Sequence, residues 1–246
     1  MEIHMVSKTL IDSMFKAGGH FAYSRSRRHP SAKPFIFGAK NRVEIFDLEK
    51  TAEALERAKS FVQSIGATGK QILFIGGKNE AREVVKQSAE ALGLPYVAGR
   101  WLGGTFTNFS EIKRRVEKME TQISQRDKGE LGKYTKKERL LIDREIAKLE
   151  LMFGGLTLMK ELPKAIFVID PKREAIAVEE AKKIGIPVVA LASSDCDFAL
   201  VDYVIPANDS SVSSISLFVK EIASAYKAGK NTAPAATAPV SAPATK

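Results

Sequence analysis

Ala165-Ile166-Phe167-Val168-Ile169 and, seventeen positions on, Ile186-Pro187-Val188-Val189-Ala190-Leu191 are the stretches that decide the fold. Both runs are apolar without alternation, as strands buried on two faces must be. Between them, Arg173 to Ile184 reads as a helix. Moving toward the C-terminus, Tyr203-Val204-Ile205 gives another strand and Ser213 to Ala228 a last helix. Toward the N-terminus the same alternation recurs. Pro95 to Ala98 is a strand, and Asn79 to Leu92 a helix stopped by Gly93. Ile72-Leu73-Phe74-Ile75 is a buried strand ending in Gly76-Gly77, and Leu48 to Ile65 is a helix closing at Gly66. Val43-Glu44-Ile45-Phe46 starts the series with strand character. Strands separated by helices of this length need right-handed crossovers, so the prediction is an α/β fold: a doubly wound, mostly parallel sheet of Rossmann-like type.

The alternation breaks between Pro95–Ala98 and Ala165–Ile169. Phe109, Ile112, Val116, Met119 and Ile123 recur at steps of three and four, as do Ile142, Ile146, Leu149 and Phe153. Thr135 with Glu138 fits a capping box opening the second helix. The spacing predicts an inserted antiparallel coiled-coil hairpin over 105–159, reaching roughly 25 to 30 Å from the sheet. Its simplest reading is packing or support, and its sharper one a rod that touches a large partner. The remaining boundaries follow: a basic N-terminal segment over 1–42, the α/β domain over 43–104 and 160–228, and an Ala/Pro/Thr-rich tail over 229–246 expected to be disordered.

Charge is distributed unevenly. The chain carries 38 Lys and Arg against 29 Asp and Glu, a formal charge of +9, which favours nucleic acid or an acidic membrane surface. From Lys16 to Arg42 there is no carboxylate, yet the stretch holds Lys16, Arg25, Arg27, Arg28, Lys33, Lys40 and Arg42. Phe15, Phe21, Tyr23, Phe35 and Phe37 are interleaved with these cations. Such a run is a solvated basic loop or a phosphate-binding surface, with the aromatics either stacking on bases or anchoring to a core.

Enzymatic chemistry finds little support. Gly76-Gly77-Lys78 follows a strand, but Ile72 stands where a Walker loop needs glycine and Asn79 where it needs Ser or Thr. Asp170, Asp195, Asp197 and Asp209 all follow predicted strands, where either a cation site or ordinary turn and cap residues are read. His4, His20, His29 and Cys196 are too scattered for zinc. Cys196 lies between two aspartates, which disfavours a thiolate, and a single cysteine suits a reducing compartment. No catalytic residue, metal or cofactor is expected, nor a small-molecule substrate. No apolar run is long enough to span a bilayer, and Met1 to Ala17 lacks the features of an export signal, so a cytoplasmic location is expected.

Lys33-Pro34-Phe35-Ile36-Phe37-Gly38-Ala39-Lys40-Asn41 and Arg100-Trp101-Leu102-Gly103-Gly104 with Thr107-Asn108 resemble the family of the bacterial second protein of the small ribosomal subunit. The likeness continues through Ala17 to Phe21, Ala165 to Asp170, Gly185 to Val188 and Val201 to Pro206, in order, from about Lys16 to Ala228. The resemblance implies a non-enzymatic structural component that binds small-subunit ribosomal RNA and helps to dock the large messenger-binding ribosomal protein numbered one. Under it, Lys33, Lys40 and Arg42 are expected at backbone phosphates, with Arg25, Arg27, Arg28, Lys113 and Arg114 as further RNA contacts. Arg100 is either a buried strut or a phosphate contact, Trp101 a packing anchor, and Phe35 and Phe37 buried. Two stretches depart from the family pattern. Ala22 to Ala32 replaces a His, a Trp and an Asn and brings extra arginines, while Ala192-Ser193-Ser194-Asp195 followed by Cys196-Asp197-Phe198 replaces a Val-Asp-Thr-Asn loop and its turn proline. Two rival functions stay open at this level: a nucleotide-binding α/β enzyme using Gly76 to Asn79, and an adaptor whose hairpin binds protein.

Overall fold

The unbroken apolar runs form the inner strands of a five-stranded parallel sheet in the computed structural model, which describes residues 8–232. Seven helices and eight strands are described. The helices are α1 (Lys8–Lys16), α2 (Leu48–Ala67), α3 (Asn79–Leu92), α4 (Phe109–Asp127), α5 (Lys136–Phe153), α6 (Ala175–Lys183) and α7 (Val212–Thr232). The strands are β1 (Phe21–Ser24), β2 (Ile36–Lys40), β3 (Val43–Phe46), β4 (Ile72–Ile75), β5 (Tyr96–Val97), β6 (Ala165–Ile169), β7 (Val188–Ala192) and β8 (Tyr203–Pro206).

The parallel sheet runs β5-β4-β6-β7-β8, with Ile72 opposite Ala165, Ile166 opposite Val188 and Val189 opposite Tyr203. Alternate residues of each inner strand enter opposite cores. Phe74, Phe167, Val189 and Ile205 pack beneath α2, α3 and α7, whereas Leu73, Ile166, Val168 and Val188 face α4, α6 and Phe153. Every residue of β4, β6 and β7 is buried, which is why those strands show no polar alternation. Strand order reverses between β4 and β6, and in doubly wound sheets that switch point is the usual ligand crevice.

Val43–Phe46 does not belong to this sheet, contrary to the sequence expectation. It is the middle strand of a separate antiparallel sheet, β1-β3-β2, so a boundary at residues 42/43 cuts through a β-hairpin. The two-residue turn between β2 and β3 is Asn41-Arg42, both at positive φ (52° and 65°), as tight hairpins of this twist require. The small sheet is fastened over the carboxyl ends of β7 and β8. His29 N donates to Ser194 O (2.8 Å), Tyr23 N to Ser194 Oγ (3.1 Å), and Asn208 N to Gly19 O (3.0 Å).

Helix α7 runs four residues past the predicted end, so the onset of the tail at Gly229 is also corrected. Gly229 lies against the Gln63 carbonyl of α2, and Gly66 of α2 lies against the Tyr226 carbonyl of α7. The two glycines let the helices meet backbone to backbone; they are contact residues, not terminators. Residues 233–246 lie outside the described residues. Between β5 and β6, α4 and α5 pack together and Lys118 bridges to Glu145 at 2.7 Å. Thr135 and Glu138 form the expected capping box at the start of α5.

Candidate nucleic-acid interface

The acid-free stretch is not acid-free in space. Arg28 Nη1 lies 2.7 Å from Glu44 Oε1, and Glu44 is only 3% exposed, so this arginine is spent on an internal ion pair. Arg27 sits 4.2 Å over the Tyr23 ring and 3.9 Å from Asp195. His29 Nδ1 is 3.6 Å from Asp197. The compensating carboxylates come from 16 residues or more away in sequence, which is why a linear reading misses them. Four cations of the small sheet remain exposed with no ion-pair partner among the described residues: Arg25, Lys33, Lys40 and Arg42. Lys33 and Arg25 sit on short helical turns, Lys40 ends β2, and Arg42 is held out at the hairpin tip.

The aromatics divide into two groups. Phe35 meets Phe198 edge-on at 5.6 Å and joins a small core with Ala32, Phe46 and Cys196. Phe37, expected to be buried, is 80% exposed. With Phe15, Phe21 and Val43 it borders an apolar groove of about 660 Å³ floored by Ile45 and Phe46. His20 stacks on Phe15 at 4.5 Å, and partial burial lowers its pKa.

At the switch point the protein's own carboxylates occupy what a ligand phosphate would use. Lys78 Nζ lies 3.1 Å from Asp170 and 3.2 Å from Asp209. Burial disfavours the Lys78 charge, but the two carboxylates more than offset this and raise its pKa to about 12. Two acids share one ammonium, so the deeper one gives way: burial, then Asp170, push Asp209 up to about 6. The Glu174 carboxylate is buried against the Gly77 amide, and burial raises its pKa. Asp170 also accepts from Arg173 N, Asp195 pairs with Lys172 at 3.1 Å, and Asp197 accepts from Ala199 N. The four aspartates thus serve ion pairs and caps. Cys196 is buried, and burial with Asp170 and Asp195 raises its thiol pKa far out of the reactive range.

The Arg100 to Gly104 turn is organised by a residue the sequence did not flag. The buried Glu180 of α6 accepts from the backbone amides of Gly104 (2.6 Å), Phe106 (2.9 Å) and Thr107 (3.4 Å). Gly104 has φ 93°, which a side chain would resist. Trp101 is buried against Phe106, the anchor its sequence context suggested. Arg100 is exposed, so it is no buried strut. Lys113 and Arg114 are exposed on the first turns of α4, and Arg114 is 3.8 Å from Glu111. The structure therefore does not gather the nine candidates. Arg25, Lys33, Lys40 and Arg42 share the small sheet, Arg28 is paired with buried Glu44, exposed Arg27 leans on Tyr23 and Asp195, and Arg100, Lys113 and Arg114 lie at the root of the helical pair.

Among the described residues no helix is long and apolar enough to cross a membrane. A model of the family described as ribosomal protein S2 matches residues 14–229. The chain is 43% identical over 219 residues to the small ribosomal subunit protein uS2 of Roseiflexus sp. (strain RS-1), covering 89% of this chain and 84% of that one. It is also 43% identical to the uS2 protein of Chlorobaculum tepidum, over 89% of this chain and 88% of that one. The uS2 protein of Solidesulfovibrio magneticus is 42% identical over 88% and 84% respectively. The chain belongs to the ribosomal protein S2 family and is a structural component of the small ribosomal subunit, not an enzyme.

Proposed function

We propose that this chain binds small-subunit ribosomal RNA chiefly through Arg25, Lys33, Lys40 and Arg42, with Arg100, Lys113 and Arg114 as outlying contacts. The observation that carries this reading is four exposed cations, without acid partners among the described residues, on a sheet clamped to a rigid body. Each phosphate neutralised releases condensed counterions, so the reading has a thermodynamic signature. Arg28 is left out because truncating it strands a buried Glu44, at a cost of about 3 kcal/mol in folding. The RNA-binding unit is the whole three-stranded sheet rather than residues 1–42 alone, and residues 105–159 act as a separate rod. The groove bordered by Phe15, Phe21 and Phe37 is the surface on which a neighbouring ribosomal protein docks, the messenger-binding protein numbered one. Exposed aromatics beside a phosphate-binding patch fit a protein neighbour better than solvent.

The test replaces Arg25, Lys33, Lys40 and Arg42 together with alanine and measures binding to a small-subunit rRNA transcript across salt. The slope of log affinity against log salt should flatten by about 3, one increment of roughly 0.7 to 0.9 per phosphate. An unchanged slope and unchanged incorporation into subunits would overturn the assignment. Phe37→Ala should leave that slope alone and weaken capture of the protein neighbour.

A further inference from the structure

We propose that a second RNA site, for a single unpaired nucleotide, lies in the cleft between α3, α6 and the root of the helical pair. It rests on the rRNA-binding reading above but uses none of the residues of the small sheet. The cleft opens over the carboxyl ends of β4 and β5. A chamber of about 260 Å³ lined by Arg82, Arg100, Arg173 and Ile176 continues into one of about 760 Å³ bordered by Lys86 and Leu151.

Charge argues for a phosphate. Arg82, Lys86, Arg100 and Arg173 are exposed and have no ion pair among the described residues. Elsewhere along this edge the cations are neutralised, Lys78 by Asp170 and Asp209 and Lys172 by Asp195. Two acids border the cleft: Glu150 on the outer rim, and Glu174, whose buried carboxylate is bound to the Gly77 amide and also attracts Arg173 and Arg82, so the four cations still outnumber the acids by two. Arg82 is aimed by a hydrogen bond from Nε to Gly77 O at 3.2 Å, which leaves its terminal N–H groups available.

Shape and apolar surface argue for an unpaired nucleotide. Leu151 is 84% exposed and Ile176 53% exposed, and both border the cleft beside the arginines. A base can lie against such surface while its phosphate meets guanidinium groups, whereas a duplex keeps its bases stacked inside and is too wide for a cleft of this volume. A free nucleotide is disfavoured because Glu174 already holds the Gly77 amide and the Lys78 ammonium is taken by two aspartates. Continuity adds a further argument. Arg27 and Lys172 both reach Asp195, and Arg173 follows Lys172, so the small-sheet segment and the cleft lie side by side, although these two linking cations are themselves paired. An RNA strand held at the first surface reaches the second at high effective concentration.

The experiment compares the full chain with R82A/R100A/R173A and with the matching lysine triple. The probes are a fluorescent oligouridylate, an RNA duplex and the rRNA transcript. Melting curves certify that each variant is folded. The alanine triple should lose about tenfold or more in oligouridylate affinity and flatten its salt slope by about 2, at roughly 0.7 per phosphate of single strand. Duplex binding should be unchanged, and the lysine triple should restore most of the slope. I176A/L151A should weaken oligouridylate binding without altering the slope. Equal oligouridylate affinity in wild type and alanine triple would overturn the inference. So would displacement of the oligouridylate by polyglutamate but not by unlabelled RNA, which would mark a site for an acidic protein. ATP binding that the alanine triple abolishes would overturn it in favour of a free nucleotide. If the small-sheet variant loses rRNA and the cleft variant does not, this inference falls, and with it the outlying contact at Arg100, while the small-sheet reading stands. If neither variant alters rRNA binding, the reading beneath it falls as well.

Discussion

Arg42 holds a backbone conformation that arginine does not favour. At φ 65° in a two-residue turn it costs about 1 kcal/mol against glycine, and the side chain gains no described ion pair in return. Strain of this kind points to a role for the side chain at the hairpin tip. Arg42→Gly is expected to leave thermal stability equal or raise it by up to about 1 kcal/mol, since relief of strain outweighs the added chain entropy. The same variant should lose about one phosphate's worth of salt dependence. Asp209 gives a second residue-scale outcome, with a definite sign. Its pKa rises from 3.8 unfolded to about 6 folded, so the folded state holds more protons between those values. The contribution is fully present below pH 4 and is lost as pH rises through 6, an effect of roughly 2 to 3 kcal/mol. Asp209→Asn should therefore be more stable than wild type at pH 7, and the difference should shrink toward pH 4 in parallel urea titrations. A constant difference across that range would contradict the sharing of Lys78 by two acids.

At the scale of elements, the contact between α2 and α7 is the most exacting. Gly66 and Gly229 admit no side chain, because each faces carbonyl groups of the other helix. Gly229→Ala is expected to lower stability by about 1 to 3 kcal/mol by forcing the helices apart. A melting temperature equal to wild type would show that the pair adjusts freely. Sequence alone closed α2 at Gly66 and began the tail at Gly229, since nothing local separates a glycine that ends a helix from one that lets two helices touch. The inner strands were legible for the opposite reason: burial on both faces leaves an uninterrupted apolar run that needs no knowledge of neighbours. Val43–Phe46 was misplaced because its hydropathy is inverted, with Val43 exposed and Glu44 buried. Only the distant Arg28 makes that arrangement tolerable. Helix α1, which sends Leu10, Ile11 and Met14 toward the core, and the short strands β1 and β2 left no readable period in the sequence.

Over the whole molecule, the two stretches expected to depart from the family pattern touch. His29 N reaches Ser194 O, Tyr23 N reaches Ser194 Oγ, Phe198 N reaches Ser31 Oγ, and Arg27 approaches Asp195. Together these contacts form one interface that seats the small sheet on the parallel sheet. The candidate site was legible as a type of charge but not as a set of residues. Lys33, Lys40 and Arg42 could be singled out because they flank the Pro34 to Gly38 run, whereas the pairing of Arg28 and the setting of Arg82 and Arg173 depend on contacts between distant segments. The central claim is that the small sheet presents its unpaired cations to ribosomal RNA, and site-specific photocrosslinking in assembled small subunits tests it most directly. A photoreactive residue at position 33 or 40 should form adducts with small-subunit rRNA, while one at Glu49 on α2 serves as the comparison. Adducts confined to protein, or no adducts at either position, would contradict the account.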